Sequence, residues 1–234
     1  MVIKQFLLAS FLSTTVLLPP SWFTVSTLDP DTLKKVEQSV VRLTYPIHTI
    51  NPWTGQPQDF TATCTGFVIG NADGEDADFS TILTAAHCIP SDPDGPDGVE
   101  VAPILVVDTY WPGRVLKVDD VNDLALVEAQ FTKAPLKLRT GVVVRGMDAY
   151  SFGYGYALNT YLFLQHIIAA PYAEIAEDYP IGILVSPGFI GGMSGGPVVD
   201  KNGRYFSVVQ ASTEHVGYGP TLANLKAFLG AYAN

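Results

Sequence analysis

The feature that most constrains this chain is a rhythm. From residue 39 onward, short β-branched and apolar runs alternate with turns rich in Gly, Pro and Asp. SVVRLTYPI (39–47), FTATCTGFVIG (60–70), FSTILTAAH (79–87), VEVAPILVVDTY (99–110), RVLKVD (114–119) and DLALVEA (123–129) form one series. GVVVRGMDAYSFG (141–153), TYLFLQHIIAA (160–170), GILVSP (182–187), GPVVD (196–200) and YFSVVQAS (205–212) form a second. Alternating β-branched residues suit a pleated, half-buried surface, and no helical period interrupts them. Two such series predict an all-β chain of barrels or sandwiches. The stretch QFTKAPLKLRTG (130–141) divides them, with a first unit over about 36–132 and a second over about 138–220.

Helices are expected only at the ends. Asp29 can cap a short helix with Pro30 in its first position and Asp31 in its first turn, running to about Gln38. Thr221 caps a terminal helix over 221–233, whose Leu222, Leu225, Phe228 and Leu229 share one face suited to packing on a sheet.

The first 26 residues stand apart. Lys4 precedes an apolar run from Phe6 to Leu18, followed by Pro19-Pro20. The run is short for a membrane span of about 20 residues and fits the apolar region of a secretory signal peptide. Thr24-Val25-Ser26 offers a cut before Thr27, and an uncleaved membrane anchor is the alternative. The folded unit is therefore 27–234, in a secreted, periplasmic or extracellular setting, with a membrane as partner only if the segment is retained.

A 47% hydrophobic and 15% charged composition excludes a disordered chain. The net charge of −10 opposes nucleic acid as a partner, because phosphate binding needs Lys and Arg. The loop SDPDGPDGVE (91–100) carries Asp92, Asp94, Asp97 and Glu100, oxygen ligands of the kind Ca²⁺ takes. Its spacing is not that of an EF-hand and two prolines intervene, so it reads as a solvated turn. No metal or other cofactor is expected. Cys64 and Cys88 are two buried thiols in a reducing compartment, or a disulfide in an exported chain.

Three segments carry chemistry: TAAHC with His87, NDLALVE with Asp123, and GGMSGGP with Ser194. A serine hydroxyl is a weak nucleophile that needs a base, and imidazole suits neutral pH. The imidazole needs an acceptor on its far nitrogen, which a buried aspartate supplies. The oxyanion of a tetrahedral intermediate needs pre-aimed N–H donors, and the glycines around Ser194 let the Gly192 and Ser194 N–H groups take that place. Taken singly, each segment has a bland alternative: a histidine ending an apolar strand, an aspartate capping a turn, a serine in a tight glycine loop.

Taken together, TAAHC, DLALV and GxSGGP in the order His, Asp, Ser resemble the chymotrypsin/trypsin-like serine protease family from about residue 36 to the end. The resemblance implies two antiparallel six-stranded-type β-barrels with a closing helix. It implies His87 as general base, Asp123 as its orienting partner, Ser194 as nucleophile, and Gly192 and Ser194 as oxyanion-hole donors. Asp119 and Asp120 compete for the acid role but do not directly precede the LALV pattern. His48, His166 and His215 lack the AAHC setting and read as structural or surface residues, and Ser212 lacks a glycine turn. The resemblance also implies that Cys88 pairs with Cys64, a closure worth about 3 kcal/mol.

The chain departs from the commonest family pattern in two places. Met193 stands where GDSGGP has its acid, and no IVGG-like segment precedes SVVRLTY. In zymogen-type members that acid receives a newly freed N-terminus, so the two absences together imply that N-terminal insertion is not used. LKKVEQSVVRL resembles the entry of HtrA-like and other bacterial trypsin-like peptidases, here as a single protease unit without a PDZ domain. Gly188 holds the place of the acid in Arg/Lys-specific members, and Gln210, Ala211 and Ser212 follow as pocket wall. A preference for small or medium apolar side chains is the resulting expectation. The function expected is a monomeric serine endopeptidase acting on peptides or proteins. A catalytically silent, peptide-binding homologue is the alternative from another class, and a non-peptide esterase is a third reading.

Overall fold

The computed structural model describes residues 28–71, 78–89, 103–106, 109–155, 161–174 and 182–232. The N-terminal segment 1–26 and the acidic loop with Asp92, Asp94, Asp97 and Glu100 lie outside the described residues.

Helix α1 (Pro30–Glu37) starts as its sequence dictates. The Asp29 carboxylate accepts the Thr32 N–H at 3.0 Å, satisfying one of the N–H groups that a helix start leaves without a partner. It leads into β1 (Val40–Ile50), β2 (Pro57–Asn71) and β3 (Ser80–Thr84), then β4 (Pro103–Val106), β5 (Thr109–Asp119) and β6 (Leu124–Ala129). These six close into an antiparallel barrel in the order β1-β2-β3-β6-β5-β4. The run 99–110, expected as one strand, contains β4 and the start of β5, which pair through Val106↔Thr109.

The second sheet holds β7 (Asp148–Gly153), β8 (Leu162–Ala173), β9 (Gly182–Ser186), β10 (Pro197–Val199), β11 (Tyr205–Val208), β12 (Ala211–Ser212) and β13 (Gly217–Pro220). Its order is β11-β10-β7-β8-β9-β13-β12, seven strands rather than six. The two outer strands are consecutive in the chain, joined only by Val209 and Gln210, so the sheet curls on itself. The Gln210 N–H meets the Tyr218 C=O at 3.1 Å across that seam. GVVVR (141–145) is not strand: Val142 and Val144 are exposed, and Gly146 turns the chain at φ +80°. Helix α2 (Leu222–Leu229) is capped by Thr221, which accepts the Asn224 N–H at 3.1 Å, and buries Leu225, Phe228 and Leu229.

The first-barrel strands β3 and β6, and β2 over Cys64–Ile69, are buried on nearly every residue, which explains their near-continuous apolar runs. Val41, Val68, Ile82 and Val127 fill the barrel. Their neighbours Val40, Phe67, Leu83 and Leu126 join Tyr150, Phe152, Tyr205 and Val208 of the second sheet in one shared core. Phe67 meets Tyr205 edge-on at 5.0 Å. Period-two alternation thus sorts residues between two cores, not between core and water. Among the described residues no helix is long and apolar enough to cross a membrane.

Candidate active site

His87 is not at a strand end. After β3 the chain forms a 3-10 turn, Ala86–Cys88, that holds Ala86 and Cys88 inside and leaves His87 exposed. Cys88 is bonded to Cys64 of β2 with Cα atoms 5.9 Å apart, so this turn is tied to the barrel wall. Cys64, His87 and Cys88 cluster closely, but the disulfide leaves no thiolate to bind a metal.

Asp123 approaches from the turn between β5 and β6. Its φ of +49° lies in the left-handed region, which Asp tolerates better than most side chains. One carboxylate oxygen accepts the backbone N–H of His87 at 2.9 Å, and the other lies 2.8 Å from His87 Nδ1. This double contact fixes both ring and backbone of His87, and it favours the tautomer with hydrogen on Nδ1 and the lone pair on Nε2. The turn itself is held from three sides. Asp119 accepts the Asn122 N–H at 3.0 Å, so this competitor for the acid role shapes the turn instead. Gln210 Nε2 donates to the carbonyls of Asn122 at 2.5 Å and Asp123 at 2.8 Å, and Asn224 of α2 donates to Asn122 Oδ1 at 2.8 Å. Sequence reasoning placed Gln210 only in a pocket wall; its grip on the Asp123 turn leaves no local signal, because the partners are 87 and 88 residues away.

Ser194 belongs to the second sheet, in the turn before β10. Gly192 and Gly195 have φ of +91° and +83°, which turn the backbone sharply on either side. A Cβ on Gly195 would lie 2.0 Å from the Thr65 carbonyl, so only glycine fits. The N–H groups of Met193, Gly195 and Gly196 are bonded to Ile190, Val209 and Met193 carbonyls respectively. Those of Gly192 and Ser194 have no acceptor among the described residues. Met193 is fully buried, packed with Ile168, Val185, Val198, Phe206 and Val209. Its thioether is thus an apolar anchor for the loop. The His87 and Ser194 turns meet: Cys88 Sγ lies 3.6 Å from the Ser194 carbonyl oxygen, a van der Waals contact since a disulfide sulfur has no hydrogen to donate.

A pocket of about 340 Å³ opens beside Ser194, lined by Phe189 and by Gln210, Ala211, Ser212, Thr213 and Glu214 among others. Gly188 is not among its lining residues. A Cβ there would lie 2.3 Å from the Thr213 carbonyl and 2.5 Å from Ser212 Oγ, so backbone fills the place where an acid would stand. Phe189, which sequence reasoning passed over, reaches the pocket because its N–H is held by Ser212 Oγ at 2.7 Å. Behind it, buried His166 donates from Nδ1 to the Pro187 carbonyl at 2.8 Å and accepts from Ser151 Oγ at Nε2 at 2.7 Å. Burial pushes its pKa down, partly offset by the Pro187 hydrogen bond.

A family model described as a trypsin-like peptidase domain matches residues 64–208. Among solved structures, the chain is similar to the Rv3671c protease from M. tuberculosis. Its active form aligns at TM-score 0.63 and 19% identity, covering 98% of this chain and 95% of that one. The inactive form aligns at TM-score 0.63 and 19% identity, covering 89% and 98%. Deg5 aligns at TM-score 0.64 and 19% identity, covering 87% and 94%. At such identities the likeness is one of fold. No curated protein sequence matches.

Proposed function

Since the chain belongs to the trypsin-like peptidase domain family, whose substrates are peptides and proteins, we propose that it is a serine endopeptidase acting through Ser194, His87 and Asp123. The observation that carries this reading is the pair of hydrogen bonds that His87 makes to the Asp123 carboxylate, beside a serine turn whose Gly192 and Ser194 N–H groups have no acceptor among the described residues.

In this mechanism Ser194 Oγ attacks the peptide carbonyl carbon as His87 Nε2 takes its proton. Asp123 holds Nδ1–H and stabilises the imidazolium. The carbonyl electron pair moves onto oxygen, and the N–H groups of Gly192 and Ser194 receive it. His87 then protonates the leaving amine, which departs and leaves the acyl group on Ser194. Water, deprotonated by the same imidazole, releases the acid. No metal or organic cofactor takes part.

The buried Met193 supports an oxyanion loop ordered by packing, without a newly freed N-terminus. The Cys64–Cys88 bond supports export to an oxidising compartment, where the enzyme acts as a monomer. The backbone-filled site at Gly188 and the apolar wall of Phe189 support small or medium apolar residues before the cleaved bond.

The test is labelling of the purified chain lacking residues 1–26 by a fluorophosphonate probe, beside Ser194→Ala and His87→Ala. Labelling of the wild type alone is expected. Equal labelling of Ser194→Ala removes the nucleophile, and an unlabelled but folded wild type favours the silent peptide-binding module.

A further inference from the structure

Strand β2 contributes a residue to this site that the family motifs do not mark. Alternation along β2 sends Cys64 and Val68 into the first barrel and Phe67 toward the second sheet. Thr65 shares the outward face with Phe67, and it is fully buried. A buried hydroxyl in an apolar interface needs partners, and Thr65 has them all in the nucleophile turn and its support. Its Oγ1 donates to the Gly192 carbonyl at 3.1 Å and accepts the Tyr154 N–H at 2.9 Å. Its own N–H donates to the Ser194 carbonyl at 2.8 Å. Its carbonyl accepts from Thr84 Oγ1 at 2.8 Å, which fixes the strand beneath.

Resting on the serine-peptidase reading, we infer that the Thr65 hydroxyl is a positioning group for the oxyanion hole. The two residues whose N–H groups form the hole are Gly192 and Ser194, and Thr65 holds the carbonyl of each. A held carbonyl fixes the peptide plane that follows its residue. The N–H lies across Cα from it, so little rotation remains for the donor. The constraint matters most at Gly192, where φ is +91° and no Cβ limits rotation. On the far side of that peptide plane, buried Met193 completes the hold. The space is exact: a Cβ on Gly153 would lie 2.8 Å from Thr65 Oγ1 and 2.9 Å from Met193 Cα, so β7 presses both groups into place. The hydroxyl thus couples the first barrel to the loop that must be ordered, through a neutral contact where zymogen-type members use an ion pair.

The test uses fluorophosphonate inactivation rates of Thr65→Val, which keeps shape and loses the hydroxyl, and Thr65→Ser, which keeps the hydroxyl. Removing one oxyanion donor outright costs about 10²–10³ in rate; losing its positioning should lower the limiting rate of Thr65→Val by about 10- to 100-fold. The probe's half-saturation and the pH midpoint of the inactivation rate should stay as in wild type, and Thr65→Ser should react within about threefold of wild type. A Thr65→Val rate equal to wild type overturns the inference, as does equal impairment of both variants, which would assign the effect to the methyl group. Should Thr65→Val not fold, Thr65→Ala carries the same expectation. Should neither fold, Thr65→Ser alone decides, and a tenfold loss with the hydroxyl present is refutation. A folded wild type that does not label would instead sink the serine-peptidase reading itself, a distinct result from any difference among Thr65 variants.

Discussion

Replacing Met193 by the acid that the commonest family motif carries is the sharpest perturbation of this site. Met193 is fully buried among Ile168, Val185, Val198, Phe206 and Val209. Met193→Asp forfeits the burial of the thioether, about 1.5–3 kcal/mol. It also places a carboxyl in that cluster without a designed partner, which costs about 1–3 kcal/mol even when protonated. The combined loss is about 2.5–6 kcal/mol, at its upper end comparable to the whole stability of a marginal domain. Burial raises the folded-state pKa of the new acid, so the folded state binds its proton more tightly than the unfolded chain. The deficit relative to wild type must therefore grow as pH rises above about 4, where the unfolded Asp ionises. Met193→Leu keeps volume and polarity and should cost under about 1.5 kcal/mol. Urea unfolding at pH 5 and pH 7.5, with fluorophosphonate labelling of the folded fraction, reads both effects. A Met193→Asp protein with wild-type midpoint and labelling would refute the claim that apolar packing orders the loop.

Other perturbations separate the remaining supports. Removing the disulfide as Cys64→Ala/Cys88→Ala opens a loop with a sequence separation of 24, worth about 3 kcal/mol and about 6–12 °C in Tm for a chain of this size; a calorimetric shift under about 2 °C would contradict it. Intact mass should rise by two hydrogens on reduction. His166 has a lowered folded-state pKa, so the unfolded chain binds its proton first; stability should fall as pH drops below about 6.5 and level off below the folded-state value, and His166→Gln should flatten that slope in urea titrations. Gln210→Leu leaves the Asn122 and Asp123 carbonyls without their shared donor, so it should cost about 1–3 kcal/mol and shift the pH midpoint of labelling; a variant unchanged in both would remove Gln210 from the support of Asp123.

The parts of the fold legible in the sequence are those whose signal is local. Asp29 and Thr221 announce their helices because a cap needs only the next three residues. Short apolar runs bounded by turn residues, such as LALVEA, announce their strands likewise. β13 was illegible because GYGP reads as a turn. Its glycines serve a distant need: a Cβ on Gly217 would strike the Phe189 ring at 2.6 Å, and one on Gly219 the Val208 carbonyl at 2.3 Å. GVVVR misled for the converse reason, since β-branched residues without a pairing partner need not form strand. The same division runs through the site. His87, Asp123 and Ser194 stand out in the sequence as a set because the chemistry proposed for them demands those side chains. Thr65, Phe189 and the grip of Gln210 on the Asp123 turn do not, because each acts through neighbours more than 20 residues away.

That division has a structural origin in β2. Every second residue of this strand faces the second sheet, and the same face carries Phe67 in the shared core and Thr65 at the nucleophile turn. Docking of the two sheets and ordering of the site are therefore one event. The His87–Asp123 bonds are made within the first barrel, and the Asp123 turn is held in addition from the second half of the chain by Gln210 and Asn224. Ser194 and its N–H donors are complete only when the second sheet is seated on β2, because Thr65 supplies the bonds to the Gly192 and Ser194 carbonyls. Loosening the apolar interface should then disturb the oxyanion loop and the Asp123 turn together. Under the serine-peptidase proposal, the interface that makes the fold cohere supplies the order that zymogen-type members take from a freed N-terminus.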